Sequence, residues 1–304
     1  MLFGKKKPRK RVKTNKKPKV APAKPSPRPP AQKPITPIPD KKETDIFLNG
    51  LSKEKSKEKK LDYHKEFLKT FQKLTYRHRA WDIWRDFVVM FTCSLSNAVN
   101  KEHYEEREAR YMKIIGKYNK EEQNLFPELA AHTVMALEEN PEQDFLGGIF
   151  MELNLGDGKN GQFFTPYHVC ELMAEIAEGN NVAEQVKKEG YITIHDCCCG
   201  AGATLIAGVH AARKQLEKVN LNYQNHVLVV AQDIDEIVAL MCYIQLSLLG
   251  VAAYIKVGDV FTDPIAVGDS TEKYWFTPMY FSSTWTYRRI FHDMENLMKG
   301  DKTE

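Results

Sequence analysis

Long hydrophobic runs are missing from this chain. Its longest apolar stretches, such as Phe87–Cys93 and Val227–Ala231, are about ten residues or shorter, against the roughly 20 that a bilayer-spanning helix requires. That excludes a helical membrane span. The apolar stretch of a secretory leader is missing too, because Met1, Leu2, Phe3 and Gly4 run straight into Lys5, Lys6 and Lys7. Spaced cysteines are also absent. Of the six, three are consecutive (Cys197, Cys198, Cys199), and no pair has the C-x-x-C spacing of a zinc site. A disulfide scaffold is excluded. The expectation is a reducing, cytoplasmic setting with no metal and with the cysteines as small semi-polar fillers.

Acidic residues are nearly absent from one segment. Residues 1–42 hold 15 Lys/Arg and a single acid, Asp40, a local charge of +14. The whole chain carries 44 Lys+Arg and 40 Asp+Glu, a net +4, so the remaining residues hold 29 basic and 39 acidic groups, or −10. A basic arm is joined to a mildly acidic body, which excludes a uniformly basic nucleic-acid coat protein. Ten of those 42 residues are Pro and only ten are apolar. Such a segment cannot bury enough apolar surface to offset the entropy of ordering, so residues 1–60 are expected to be a disordered Lys/Pro-rich arm. Residues 5–42 offer either a solvated linker or a non-specific phosphate contact for DNA, each neutralised phosphate releasing counterions.

The body has two textures. Residues 61–143 read as helical. Trp81, Trp84, Phe87, Val88, Phe91 and Leu95 recur at the steps of one helix face and are expected in the core. Further helical stretches are expected over Glu102–Tyr118 and Asn124–Glu139. From about residue 144 strands and helices alternate. A helix over Asp144–Leu155 is followed by Gly161-Gln162-Phe163-Phe164-Thr165-Pro166 and a helix over Val169–Ala177. Then come strand Tyr191–His195, helix Thr204–Lys218, strand Val227–Ala231, helix Glu236–Leu249 and strand Ala253–Val257. This order predicts an α/β fold with a partial parallel sheet and right-handed crossovers.

Ligands of such sheets sit beyond the carboxyl ends of the strands. Strand one ends in Asp196 and a turn with Gly200 and Gly202, where backbone approaches a ligand closely. The helix that follows offers free N–H groups to an anion. Strand two ends in Asp233, placed to accept from the hydroxyls of a ribose, and strand three in Asp259, placed to accept from an exocyclic amine. One acid per strand end fits a nucleoside with an anionic tail.

The strings GQFFTP (residues 161–166) and DCCCGAGATL (residues 196–205), with the acids of Ala231-Gln232-Asp233-Ile234 and Gly258-Asp259, resemble the N6-adenine DNA methyltransferases, most closely the modification subunits of type I restriction systems. Asp144-Phe145-Leu146-Gly147 resembles the helix before their cofactor domain. The resemblance covers residues 144–262. It implies a Rossmann-like methyltransferase domain over 144–304, S-adenosylmethionine as cofactor and adenine in DNA as substrate. It also implies a cofactor site of Phe163, Thr165, Pro166, Asp196, Gly200, Gly202, Asp233 and Asp259.

Cys197 stands where that family has Pro. The family's [D/N]-P-P-[F/Y] string, which accepts from the adenine amine and stacks on the extruded base, is missing. The candidates that stand in for it are Thr277, Pro278 and Tyr280. Residues 274–281 are also the segment available to cover the open edge expected on strand one, with a closing helix over Trp285–Met298 that carries Arg288 and Arg289. Three readings follow. The chain is an adenine-N6 DNA methyltransferase; or a cofactor-binding subunit that needs a partner chain, or a second copy, for catalysis and target choice; or a methyltransferase of another substrate class.

Overall fold

A computed structural model describes residues 61–156, 164–266 and 268–300. The arm of residues 1–60, and Gly161, Gln162 and Phe163 of the GQFFTP string, lie outside the described residues.

The described chain opens with α1 (Tyr63–Thr75), α2 (Ala80–Val99), α3 (Tyr104–Ile115) and α4 (Lys120–Glu139). Asp62 caps α1 by accepting from the Lys65 backbone N–H. Asn119 and Glu122 form a reciprocal capping box at α4, which satisfies donors that a helix start leaves open. That box starts α4 earlier than the expected Asn124, and the helix runs on through Pro127. On α2 most of the aromatic stripe enters the core: Trp84, Phe87 and Val88 are buried, Phe91 and Leu95 pack at the border, and Trp81, in the first turn of the helix, is exposed against expectation. Phe67 of α1 meets Trp84 and Phe87 edge-on at 6.1 and 5.5 Å.

Next come α5 (Phe145–Glu152), α6 (Tyr167–Glu178) and α7 (Val182–Glu189). The apolar pattern did not predict α7. Its signal is local: left-handed Gly190, at φ 85°, ends it. Then β1 (Ile192–Asp196), α8 (Ala203–Glu217), β2 (Val227–Asp233), α9 (Glu236–Leu248) and β3 (Ala252–Val257) alternate as expected. These three strands are parallel.

The sheet has a further strand, β4 (Tyr274–Phe276), antiparallel to β3. The order is β1-β2-β3-β4, so the sheet is mixed instead of wholly parallel. Among the described residues the connection from β3 to β4 holds a 3-10 turn, Thr271–Lys273, and no α-helix; without a crossover helix the chain returns antiparallel. Residues 274–276 therefore line the outer side of β3 and not the edge of β1.

Both right-handed crossovers run in one direction, which puts α8 and α9 on the same sheet face. α9 is buried at every position from Ile237 to Leu246, packed between α2 and strands β2 and β3. One hydrophobic core runs from Phe67 to Trp275 and joins the helical stretch to the sheet. The other sheet face is only partly covered: Thr193 and His195 are exposed, and Tyr254 and Phe276 are half-buried.

The last helix, α10 (Ser283–Gly300), is anchored at the amino end of the sheet. Trp285 Nε1 donates to the Gln224 carbonyl at 2.8 Å, and Arg288 donates to the carbonyls of Asn225 and Gly190, residues that precede β2 and β1. No helix among the described residues is long and apolar enough to cross a membrane.

Candidate functional site

The turn after β1 is pinned to β2. The Cys199 N–H donates to the Gln232 carbonyl at 3.0 Å, and the Gly200 N–H donates to Asp233 Oδ2 at 2.8 Å. Gly200 and Gly202 have φ of 53° and 95°, a region that glycine enters freely. A Cβ on Gly202 would sit 2.8 Å from Cys242 Sγ on α9. The sequence places glycine there because both the dihedral and the neighbour demand it.

The acids shape the hollow around that turn. Asp196 accepts from the Cys198 N–H at 3.0 Å and from the Thr204 hydroxyl at 2.5 Å. Asp233 also accepts from the Asp235 N–H at 3.0 Å, and Asp235 caps α9 by accepting from the N–H groups of Ile237 and Val238. The Gly258 N–H donates to the Asp233 carbonyl at 2.9 Å, which sets Asp259 beside Asp233. Asp259 accepts from the Phe261 N–H at 2.9 Å. Burial pushes the Asp233 carboxyl above the usual range; N–H donation from Asp235 and Gly200 opposes this, and the charges of Asp235 and Asp196 add to it. The carboxylates of Asp196 and Asp233 thus converge on one turn.

The described end of the GQFFTP string borders the same turn. A Cβ on Gly200 would lie 3.4 Å from the Phe164 ring, and that ring packs against Phe150 at 5.3 Å. Thr165 and Pro166 follow, both exposed, and Pro166 occupies the cap position of α6. A third clamp comes from Gln245 on α9. Its Nε2 donates to Asp144 Oδ1 at 2.8 Å and to the Ala201 carbonyl at 2.9 Å, while its Oε1 accepts from the Leu146 N–H at 3.0 Å. Asp144 also caps α5 by accepting from the Gly147 N–H at 2.8 Å. Desolvation raises the Asp144 pKa against these two donors.

Asp196, Gly200, Gly202, Asp233 and Asp259 are therefore gathered at the carboxyl ends of β1, β2 and β3, with Phe164 beside them. Thr277, Pro278 and Tyr280 are not. Thr277 is buried; its hydroxyl donates to the Val251 carbonyl at 2.7 Å and accepts from the Ala253 N–H at 2.8 Å. Those residues begin β3, so Thr277 stands at the amino end of the sheet. Pro278 opens a 3-10 turn there. The Tyr280 ring lies under the Arg289 guanidinium at 4.0 Å. The cause is the antiparallel β4, which carries the chain back along the sheet, away from Asp259.

Sequence reasoning missed four contributors. Thr204 and Gln245 hold the turn through side-chain bonds that no periodicity shows. Ile234 and Phe261 are 70% and 91% exposed. Their signal was available: a large apolar residue directly after or two after a strand-end acid, where a turn favours polar residues. The cysteines also divide. Cys93, Cys170, Cys199 and Cys242 are buried, but Cys197 and Cys198 are exposed and fill nothing. Among the described residues no group of three His, Cys, Asp or Glu side chains is placed to hold a metal ion.

Carboxylate acceptors, the amino end of α8 and two bare apolar side chains suit a ligand with hydroxyls, a flat ring and an anionic end. Neither curated proteins nor solved structures give a match to the chain. The family model described as N-6 DNA Methylase matches residues 146–302, and members of that family use S-adenosylmethionine. That match spans more than half of the sequence and takes in the glycine turn and all three strand-end acids, and on it the chain belongs to the N-6 DNA methylase family.

Proposed function

We propose that this chain is an S-adenosylmethionine-dependent adenine-N6 DNA methyltransferase with a Rossmann-like cofactor domain over residues 144–304, akin to the modification subunits of type I restriction systems. The observation that carries this reading is the set of Asp196, Asp233 and Asp259 around one glycine turn. A carboxylate has about four lone-pair sites, so each acid that already accepts backbone or hydroxyl donors retains capacity for a ligand. Asp233 accepts from the ribose hydroxyls and Asp259 from the adenine amine, with Ile234 and Phe261 against the flat ring. Asp196 and the amino end of α8 face the methionine part, with Thr165 and Pro166 next to it; Phe163 is assigned to it by the family resemblance alone. When bound, the cofactor supplies an electrophilic methyl group. Holding that group in line with the target amine contributes much of the rate. The basic arm at residues 5–42 contacts DNA phosphates without reading sequence.

A second reading has its own support. With the Thr277 hydroxyl held by backbone at the far end of the sheet, the acceptor for the target amine comes from a partner chain, and this chain is the cofactor-binding subunit.

The deciding experiment is calorimetric titration of S-adenosylmethionine into the wild type and Asp196→Ala, both checked for equal thermal midpoints. The substitution weakens binding at least tenfold, about 1.4 kcal/mol. Equal affinity for both proteins overturns the assignment of the hollow. Labelled methyl transfer to adenine-containing DNA then separates the readings. Transfer by the isolated chain upholds the first, and transfer only in the presence of cell extract upholds the second.

A further inference from the structure

The sheet face turned away from α8 and α9 carries a cleft of about 350 Å³, within the size range of small-molecule sites. Its floor is aromatic. Register sets Tyr254 between Val230 and Phe276, and period-two alternation sends all three side chains to this one face. Tyr274 and Phe276 are nearly parallel, 14° apart with ring centres at 6.0 Å. Tyr254 lies 6.1 and 6.3 Å from them. Tyr280 closes one side, 4.9 Å from Phe276 and edge-on to Tyr254 at 6.0 Å. Ile265, Ala266, Asp269 and Thr271, from the loop between β3 and β4, form the opposite wall.

The polar groups of the cleft decide the kind of ligand. Asp269 is the acid in the wall, and it is already engaged. It accepts from Lys256 Nζ at 2.6 Å, from the Tyr274 hydroxyl at 2.6 Å and from the Ala266 N–H at 3.1 Å. These partners hold its carboxyl down to about 2. Lys256 is itself buried and also donates to Asp263 at 2.7 Å. The wall thus presents no uncompensated charge to draw in a small cation. Next to the cleft, the Arg289 guanidinium stacks on the ring of Tyr280. It donates to the Tyr280 carbonyl and the Thr286 hydroxyl, and with five N–H donors in all it has others left for a phosphate.

A half-buried ring at Tyr254, a neutral polar edge and an arginine held on the neighbouring Tyr280 are the features of a stacking site for a planar, uncharged heterocycle. We propose that this cleft binds a nucleobase, stacked against Tyr254 with its phosphate towards Arg289. The base belongs to a free nucleotide or to an unpaired position of a DNA strand. Tyr254 precedes the strand end at Val257 by about 10 Å of extended chain, so this is a separate place from the glycine turn. It holds a base and does not react it, and it does not depend on the cofactor reading.

The test is calorimetric titration of the full chain with adenosine monophosphate, with a single-stranded oligodeoxyadenylate, with the same sequence as a duplex, and with choline. Each is run on the wild type and on Asp196→Ala, so that nucleotide heat from the glycine turn is told apart from that of the cleft. Binding of the monophosphate, or of the single strand in preference to the duplex, is expected. The stronger of the two identifies the source of the base. Tyr254→Leu keeps an apolar side chain on the strand but removes the ring, and is expected to weaken this binding at least tenfold. Ala266→Phe, at an exposed rim position, blocks the mouth without touching the core and is expected to do the same. Both variants keep wild-type affinity for S-adenosylmethionine. Asp196→Ala keeps wild-type affinity for the base, which separates failure of this proposal from failure of the cofactor assignment. Binding of choline or duplex alone, no binding of either base ligand by the wild type, or full base affinity in Ala266→Phe overturns the proposal.

Discussion

The two ends of the sheet use polar side chains to opposite effect. At the amino end Thr277, Trp285 and Arg288 direct their hydrogen bonds to backbone carbonyls of the strand starts. At the carboxyl end Asp196, Asp233 and Asp259 bind local donors too, but as carboxylates they keep lone pairs open, and Ile234 and Phe261 stand bare beside them. Thr277 and Trp285 each give their single donor to the backbone and hold the fold. A polar side chain that keeps capacity, next to apolar surface left in water, is waiting for a ligand.

The sharpest break in this comparison is at Gly202. Alanine there meets Cys242 Sγ at 2.8 Å in a backbone held at φ 95°. Strain and overpacking each cost ~1–3 kcal/mol, and urea unfolding is expected to show a loss of about 3 kcal/mol. Adding Cys242→Ala recovers the crowding and leaves the dihedral strain.

Thr277→Val comes second. It strands the Val251 carbonyl and the Ala253 N–H of their side-chain partner at a loss of about 2 kcal/mol. Affinity for S-adenosylmethionine stays unchanged. A drop in that affinity would mean that the two ends are coupled.

Asp144→Asn acts through pH. Desolvation raises the Asp144 pKa, so the native state keeps its proton to higher pH than the unfolded chain does. Stability then falls as pH rises from the unfolded value through the folded one, and levels off above it. The amide oxygen can still accept from Gly147 and Gln245, so the variant loses that fall. Thermal midpoints followed from about pH 4 to pH 7 check this.

The smallest expected effect on stability is at Ile234→Ala and Phe261→Ala. Both side chains are exposed, so unfolding free energies stay within ~0.5 kcal/mol of wild type. Cofactor affinity nonetheless falls several-fold. Unchanged affinity would leave these residues as mere surface.

The alternation of β1, α8, β2, α9 and β3 was legible because each element carries its own period, and the three acids were legible because strand ends are marked by glycine and aspartate. The helix face of Trp84, Phe87 and Val88 was legible for the same reason. What failed was long-range pairing. Nothing in Tyr274-Trp275-Phe276 says which strand it joins, and the loop ahead of it carries no helix to dictate a crossover. The expected nearness of Thr277, Pro278 and Tyr280 to Asp259 went with it, since their distance from Asp259 along the chain says nothing about direction. Thr204 and Gln245 were invisible because a hydrogen bond across many residues leaves no pattern in the sequence around either partner.

Gln245 ties together groups that stand 101 and 44 residues away from it. The Ala201 carbonyl is thus held from another segment, and the shape of the glycine turn is an outcome of tertiary packing as much as of its own residues.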